Sequence, residues 1–259
     1  MRTRLYFPSL ISALLICSTP YWTASAQPSD SSAGASASKL TVEEVVNRLV
    51  RRNLERAQAL QAYQGTRIYR LEYRGFPGNR TAEIVVDVKY RAPGTKEFTV
   101  RTEVGSKLVI DRVFKKLLQS EQEALTAENQ KHVALNRDNY AFAMVDYEQT
   151  PGGPQYVLSV EPRVKSKLLY RGKIWVDGQD FAVVRIEGEP ARNPSFWTKD
   201  TKIEQVYGRV GDFWLPILNR SSSSIRLGGR ADFSIDYKDY RIISTAPPRE
   251  HNDRFAGNR

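Results

Sequence analysis

The chain has 259 residues, 41% of them hydrophobic, and carries 39 Lys and Arg against 29 Asp and Glu, a formal charge of +10. It is long enough for a conventional core, and its excess of base suits either plain solubility or an anionic surface such as phospholipid or lipopolysaccharide. One cysteine and two histidines leave no material for a disulfide framework and little for histidine-based metal sites or catalytic triads.

Residues 1–26 read as an export signal, with Arg2 and Arg4 at the charged start, an apolar run from Leu10 to Ile16, and Ala24-Ser25-Ala26 as a small-residue cleavage site. Cleavage after Ala26 would remove Cys17. Leu14-Leu15-Ile16-Cys17 also outlines a lipid-attachment site, although Ile16 is bulky where a small residue is wanted. Export points to the periplasm and away from nucleic acid, for which no binding motif stands out. Residues 27–40 are rich in Ser, Ala and Gly, a flexible leader.

Thr41 with Glu44 three residues on is a capping box, and Leu40 with Val45 can form a hydrophobic staple. The helix they open is expected to run to about Ala62, with Val42, Val45, Val46, Leu49, Val50, Ala57 and Leu60 on one face. Arg48, Arg51, Arg52 and Arg56 lie on the other side. Three strands follow, over Arg67 to Arg74, Ala82 to Tyr90, and Phe98 to Val104. A second helix, roughly Lys107 to Ala127, bears a wide apolar stripe of Ile110, Val113, Phe114, Leu117, Leu118, Ala124 and Leu125.

From Tyr140 onward the pattern is a meander of one-sided strands. They contain Tyr140 to Met144, Tyr156 to Val160, Leu168 to Val176, Ala182 to Ile186, Ile203 to Tyr207, Phe213 to Ile225 and Arg230 to Ile242. Asp177-Gly178, Gly211-Asp212 and Gly228-Gly229 suit tight hairpins in which glycine takes a positive φ. Gly172 falls on an inner face, where a sheet can bend sharply. Residues 244–259, with Pro247-Pro248, form a loose tail, so the folded domain is 41–243. The fold class is α+β, a strongly curved antiparallel sheet of about ten or eleven strands with two or three helices over its concave face.

Such a sheet presents more apolar surface than two helical stripes can cover. Either it curls until its own halves fill the inside, which packing alone favours, or it stays open and lined for a ligand.

The segments Lys167-Leu168-Leu169-Tyr170, Gly172-Lys173-Ile174-Trp175-Val176-Asp177 and Phe181-Ala182-Val183-Val184-Arg185-Ile186-Glu187-Gly188 resemble the outer-membrane lipoprotein-sorting proteins of the LolA-like superfamily. Ala191-Arg192-Asn193-Pro194-Ser195-Phe196-Trp197, and Phe213-Trp214-Leu215-Pro216 followed by Asn219-Arg220-Ser221, add to the resemblance. It is closest over Lys167 to Tyr240 and extends by element order to Thr41. It implies an open half-barrel with helices in its mouth and a cavity that holds acyl chains. The arginine with which the carriers hold their lid shut has no aligned counterpart, and the choice between Arg67 and Arg70 is open.

The resulting expectation is a non-enzymatic periplasmic carrier or receptor for lipoproteins or other acylated lipids, with no cofactor and no metal. Tyr69, Leu71, Ile84, Val86, Val88, Phe98, Val100, Tyr170, Ile174, Phe233 and Ile235 are expected to line the cavity. The alternatives are a sensor of the same fold that signals to an inner- or outer-membrane protein, and a packed structural module. Transient contact with a membrane surface fits the charge. Other candidate chemistry is weak: His132 and His251 read as exposed loop or tail residues, and Ser221 to Ser224 lack a nucleophile elbow. Asp177 and Asp180 suit a turn, and Glu121 and Glu123 are spaced so that they do not share a helix face.

Overall fold

In the computed structural model, residues 40–123, 132–193, 195–226 and 228–246 are described. The export signal with Cys17, the leader up to residue 39, Ala124 and Leu125, and the tail from residue 247 with His251 lie outside them.

Helix α1 (Val42–Ala59) starts as its sequence dictates. The Thr41 hydroxyl accepts from the Glu44 amide while the Glu44 carboxylate accepts from the Thr41 amide at 2.8 Å, the reciprocal capping box. Val45, Val46, Leu49 and Ala57 are buried on one face. The helix stops three residues earlier than its periodicity suggests. Leu60 turns to extended backbone and pairs with Thr245, because the last sheet strand offers it a ladder partner. Its side chain joins a separate cluster with Tyr63, Tyr90, Phe213 and Leu215.

Ten strands follow: β1 (Leu60–Arg74), β2 (Arg80–Arg91), β3 (Thr95–Gly105), β4 (Tyr140–Thr150), β5 (Gly153–Pro162), β6 (Tyr170–Asp177), β7 (Val183–Pro190), β8 (Thr198–Val210), β9 (Phe213–Ile225) and β10 (Arg230–Thr245). They form one antiparallel sheet in the order β3-β2-β1-β10-β9-β8-β7-β6-β5-β4. The two edges, β3 and β4, do not pair with each other, so the curved sheet stays unclosed. Long strands that twist steadily cannot remain flat over this many members. Between β3 and β4 runs α2, which begins as Lys107–Val109, loosens to a π-turn over Ile110–Phe114 and continues as Lys115–Glu123.

Apolar burial divides into two main clusters. One joins α1 to β4–β7 through Val45, Val46 and Leu49 against Leu158, Ile174, Val176 and Ile186. The other joins α2 to β1, β2 and β10.

The turns largely obey their glycines, with one exception. Gly211 lies at φ 60 in a two-residue turn, as expected. The β6–β7 connection is longer than two residues: the left-handed residue is Phe181 (φ 48), and the Asp177 carboxylate accepts the amides of Gln179 and Asp180 at 2.9 and 2.6 Å. Aspartate turn chemistry, not a positive φ at Gly178, reverses the chain there.

At Gly172, paired with Gly188 on β7, φ is 149° and a Cβ would run into the Glu187 carbonyl oxygen. The Gly172→Ala substitution should therefore cost about 2 kcal/mol or more in urea unfolding. Gly211→Asn, where nothing stands within 4 Å, should leave the midpoint nearly unchanged.

Candidate functional site: the sheet face beneath α2

Alternation along β1, β2 and β10 places Tyr69, Ile84, Val86, Val88 and Ile235 on one face, all fully buried. The apolar stripe of α2 descends on this face with Val109, Ile110, Phe114, Leu117 and Leu118. Phe114 sits in the π-turn and packs against Tyr69 and Phe233 at centroid distances of 6.2 and 6.3 Å. Ile110 and Phe114, at the two ends of the π-turn, are both buried in the cluster with the sheet.

Three charged side chains are buried in the same interface. Arg67 on β1 donates to both carboxylate oxygens of Glu121 on α2 at 2.9 Å, and Lys96 on β3 donates to Glu121 Oε1 at 2.8 Å. None of the three is more than 3% exposed. The Arg67 guanidinium also donates to the Tyr69 hydroxyl at 3.2 Å and lies over the Tyr237 ring, 4.9 Å from its centroid. Burial pushes the Glu121 carboxyl up, but Arg67 and then Lys96 outweigh it and hold it below the usual carboxylate range. Burial also drives the Tyr69 hydroxyl well up, so it remains protonated.

Sequence reasoning missed this cluster, although a signal was present. Arg67 shares the phase of Tyr69, Leu71 and Tyr73, Lys96 that of Phe98 and Val100, and Glu121 stands four residues after Leu117 on the apolar stripe. Charges of opposite sign in the buried phase of three elements mark a partnered interior site. Arg70, by contrast, points the other way, to Glu83 at 2.7 Å and to Asp236.

The eleven residues expected to line a cavity do not all meet. Tyr69, Leu71, Ile84, Val86, Val88, Phe98, Phe233 and Ile235 belong to the α2 cluster, with Leu71, Phe98 and Phe233 partly buried. Val100, in the same phase, is 38% exposed. Tyr170 and Ile174 belong to the α1 cluster instead. Tyr69, Ile84, Val86, Val88 and Ile235 are thus buried in one cluster with the side chains of α2. A hollow of about 860 Å³ crosses from β3 to β7 and takes in only Leu71 and Phe233 of the eleven. Its other walls include Arg70, Glu83, Arg185, Glu187, Glu204 and Arg220, largely ion-paired to one another.

Elsewhere, His132 is exposed, and Ser221 to Ser224 lie along β9. Among the described residues no cluster of His, Cys, Asp and Glu could hold a metal ion.

No family model matches the chain, and no curated protein matches it. It is similar to solved structures, all at low identity. A DUF1329 family protein from Desulfovibrio piger is 13% identical over 78% of this chain and 93% of that one, with a TM-score of 0.41. A putative outer membrane lipoprotein-sorting protein domain from Vibrio parahaemolyticus is 13% identical over 81% and 94%, at 0.37. A LolA superfamily protein from Nitrosomonas europaea is 11% identical over 81% and 96%, at 0.35. At these scores the likeness carries no functional argument.

Removing the anion of this cluster would leave Arg67 and Lys96 buried without a counter-charge. Glu121→Gln should therefore destabilise the protein by about 3 kcal/mol. The sign with pH follows from the depressed carboxyl. Its contribution is complete above the ordinary value of 4.5 and disappears as pH falls through the lower folded value. Thermal midpoints measured from neutral pH into acid should converge for the two proteins at the acid end.

Proposed function

We propose that this protein is an exported, periplasmic binding protein for acylated molecules such as lipoproteins, in which an acyl chain takes the place of α2 against β1, β2 and β10. The observation that carries the reading is the nature of the contact beneath α2. One amphipathic segment, loosened by a π-turn, fills a broad apolar face and is fastened there by a buried ion cluster.

Fastening by ions makes the segment removable. Hydrophobic burial is lost when α2 lifts, but Glu121, Arg67 and Lys96 regain the hydration they gave up, which offsets part of that loss. An acyl chain then restores the apolar burial at about 0.8 kcal/mol per methylene. Return of α2 with its ion cluster drives release, so binding and release are alternatives for one surface. Tyr69, Leu71, Ile84, Val86, Val88, Phe98, Val100, Phe233 and Ile235 are the lining in this reading, with Tyr170 and Ile174 outside it. Arg67 is the arginine that fastens the helix. The segment resemblance to lipoprotein-sorting proteins points the same way.

Uptake of a fluorescent fatty acid, together with native mass spectrometry after gentle purification, tests the reading. The protein should take up the probe, and Glu121→Gln should take it up several-fold faster because α2 is less firmly held. Recovery of the bare mass alone, with no uptake by either protein, would refute it.

A further inference from the structure

The sheet has two chemically different rims. Antiparallel pairing carries the ends of β1, β5, β7 and β9 and the starts of β2, β6, β8 and β10 to one rim, where residues 75–79, 163–169, 191–197 and 226–229 connect them. These four connections contain Arg163, Lys165, Lys167, Arg192 and Arg226 and no acid, while the longer connection 106–139, which also leaves and rejoins this rim, has six basic and five acidic residues. Arg80 opens β2 beside them and is exposed. The connections at the opposite rim, residues 92–94, 151–152, 178–182 and 211–212, contain Asp180 and Asp212 and no base, although Arg91 closes β2 beside them and Arg209 near the end of β8 pairs with Asp180.

Exposed apolar side chains follow the same division. Phe76 is 80% exposed, Phe196 73% and Val164 60%, and all three sit on the basic rim. No exposed large apolar side chain is described in the connections of the acidic rim. The basic-rim loops are tied together and do not float separately. The Tyr73 hydroxyl lies within hydrogen-bond distance of the carbonyls of Phe76, at 2.5 Å, and Gly228, at 3.0 Å, and its one proton is placed between the β1–β2 and β9–β10 turns. The Arg226 amide donates to the Trp197 carbonyl at 2.9 Å, and its guanidinium lies 5.1 Å from the centre of the Phe196 ring. Phe196 in turn meets Trp197 edge-on at 5.3 Å.

We propose that this rim is a docking surface for an anionic phospholipid bilayer, with Phe76 and Phe196 entering the headgroup layer and Arg80, Arg192, Arg226 and Lys165 facing lipid phosphates. The occupant follows from shape and charge. Single bulky side chains on separate loop tips make a row of prongs, which a soft interface accepts. A protein partner would instead need a fitted surface of roughly 1,200 Å² or more in total. Aromatic rings settle at headgroup depth, and basic side chains close to them are drawn to a negative lipid surface. The acidic rim then faces away from the bilayer, so the charge division also orients the molecule. The proposal does not depend on an acyl chain entering beneath α2.

Sedimentation of the full chain with vesicles tests it, comparing pure phosphatidylcholine with phosphatidylcholine mixed with phosphatidylglycerol. The protein should pellet with the anionic vesicles and stay in solution with the neutral ones. Phe76→Ser with Phe196→Ser should weaken binding about tenfold or more. Arg80→Gln, Arg192→Gln and Arg226→Gln together should weaken it about a hundredfold. A control triple, Arg51→Gln, Arg52→Gln and Lys89→Gln, removes the same charge away from this rim and should bind almost as the parent does. Equal loss in both triples would assign the effect to net charge and overturn the rim. Failure to bind either vesicle would also overturn the proposal and leave an acidic protein surface as the occupant. Fatty-acid uptake by the Phe76/Phe196 variant should be unchanged, so the two readings fail separately.

Discussion

Glu121 is the point on which the arrangement of α2 turns. One carboxylate neutralises Arg67 from β1 and Lys96 from β3, and all three side chains lie inside an otherwise apolar interface. Burying three charges is costly unless each is paired, so the helix can dock in few registers. Sliding it by a turn would separate the carboxylate from both cations and leave each uncompensated. The apolar contacts of Ile110, Phe114, Leu117 and Leu118 supply attraction, but hydrocarbon contacts alone would tolerate such a shift. Direction and register come from the ions.

The same division of labour explains why the two helices differ. α1 joins its cluster through Val45, Val46 and Leu49, with the capping box holding its start and Arg56 reaching the Asp180 carbonyl near its end. Among the described residues, no charged side chain in its cluster is buried as fully as Glu121 is beneath α2. α1 therefore acts as a fixed part of the core of β4–β7. α2, with a π-turn in its middle and its charge cluster near its far end, is the part that lifts in the proposed reading. Because the sheet is unclosed, lifting it does not require any strand pair to break.

Much of the fold was legible in the sequence because local chemistry wrote it there. The capping box at Thr41 and Glu44, the period-two alternation of Phe233, Ile235 and Tyr237, and the limits of β9 at Phe213 and Ile225 all follow from neighbours in the chain. One misreading falls where a distant partner decided: Leu60 left the helix because Thr245 offered a ladder bond. The other is local, since Phe181 took the left-handed conformation in a turn that the Asp177 carboxylate organises. The residues of β1, β2 and β10 expected to point to one side do share one face. Phase alone, however, does not show which face another element occupies, and Tyr170 and Ile174 proved to belong beneath α1.

The sequence by itself determined the antiparallel strands, their wet and dry sides and the start of α1, since each depends on residues close together in the chain. Tertiary structure decided that Arg67, Lys96 and Glu121 meet, that Arg70 does not join them, and that Phe76, Phe196 and Arg226 share one rim. Those facts depend on groups 25 to 155 positions apart, brought together by strand pairing and helix docking. Local propensity carries no information about such encounters until the chain has folded.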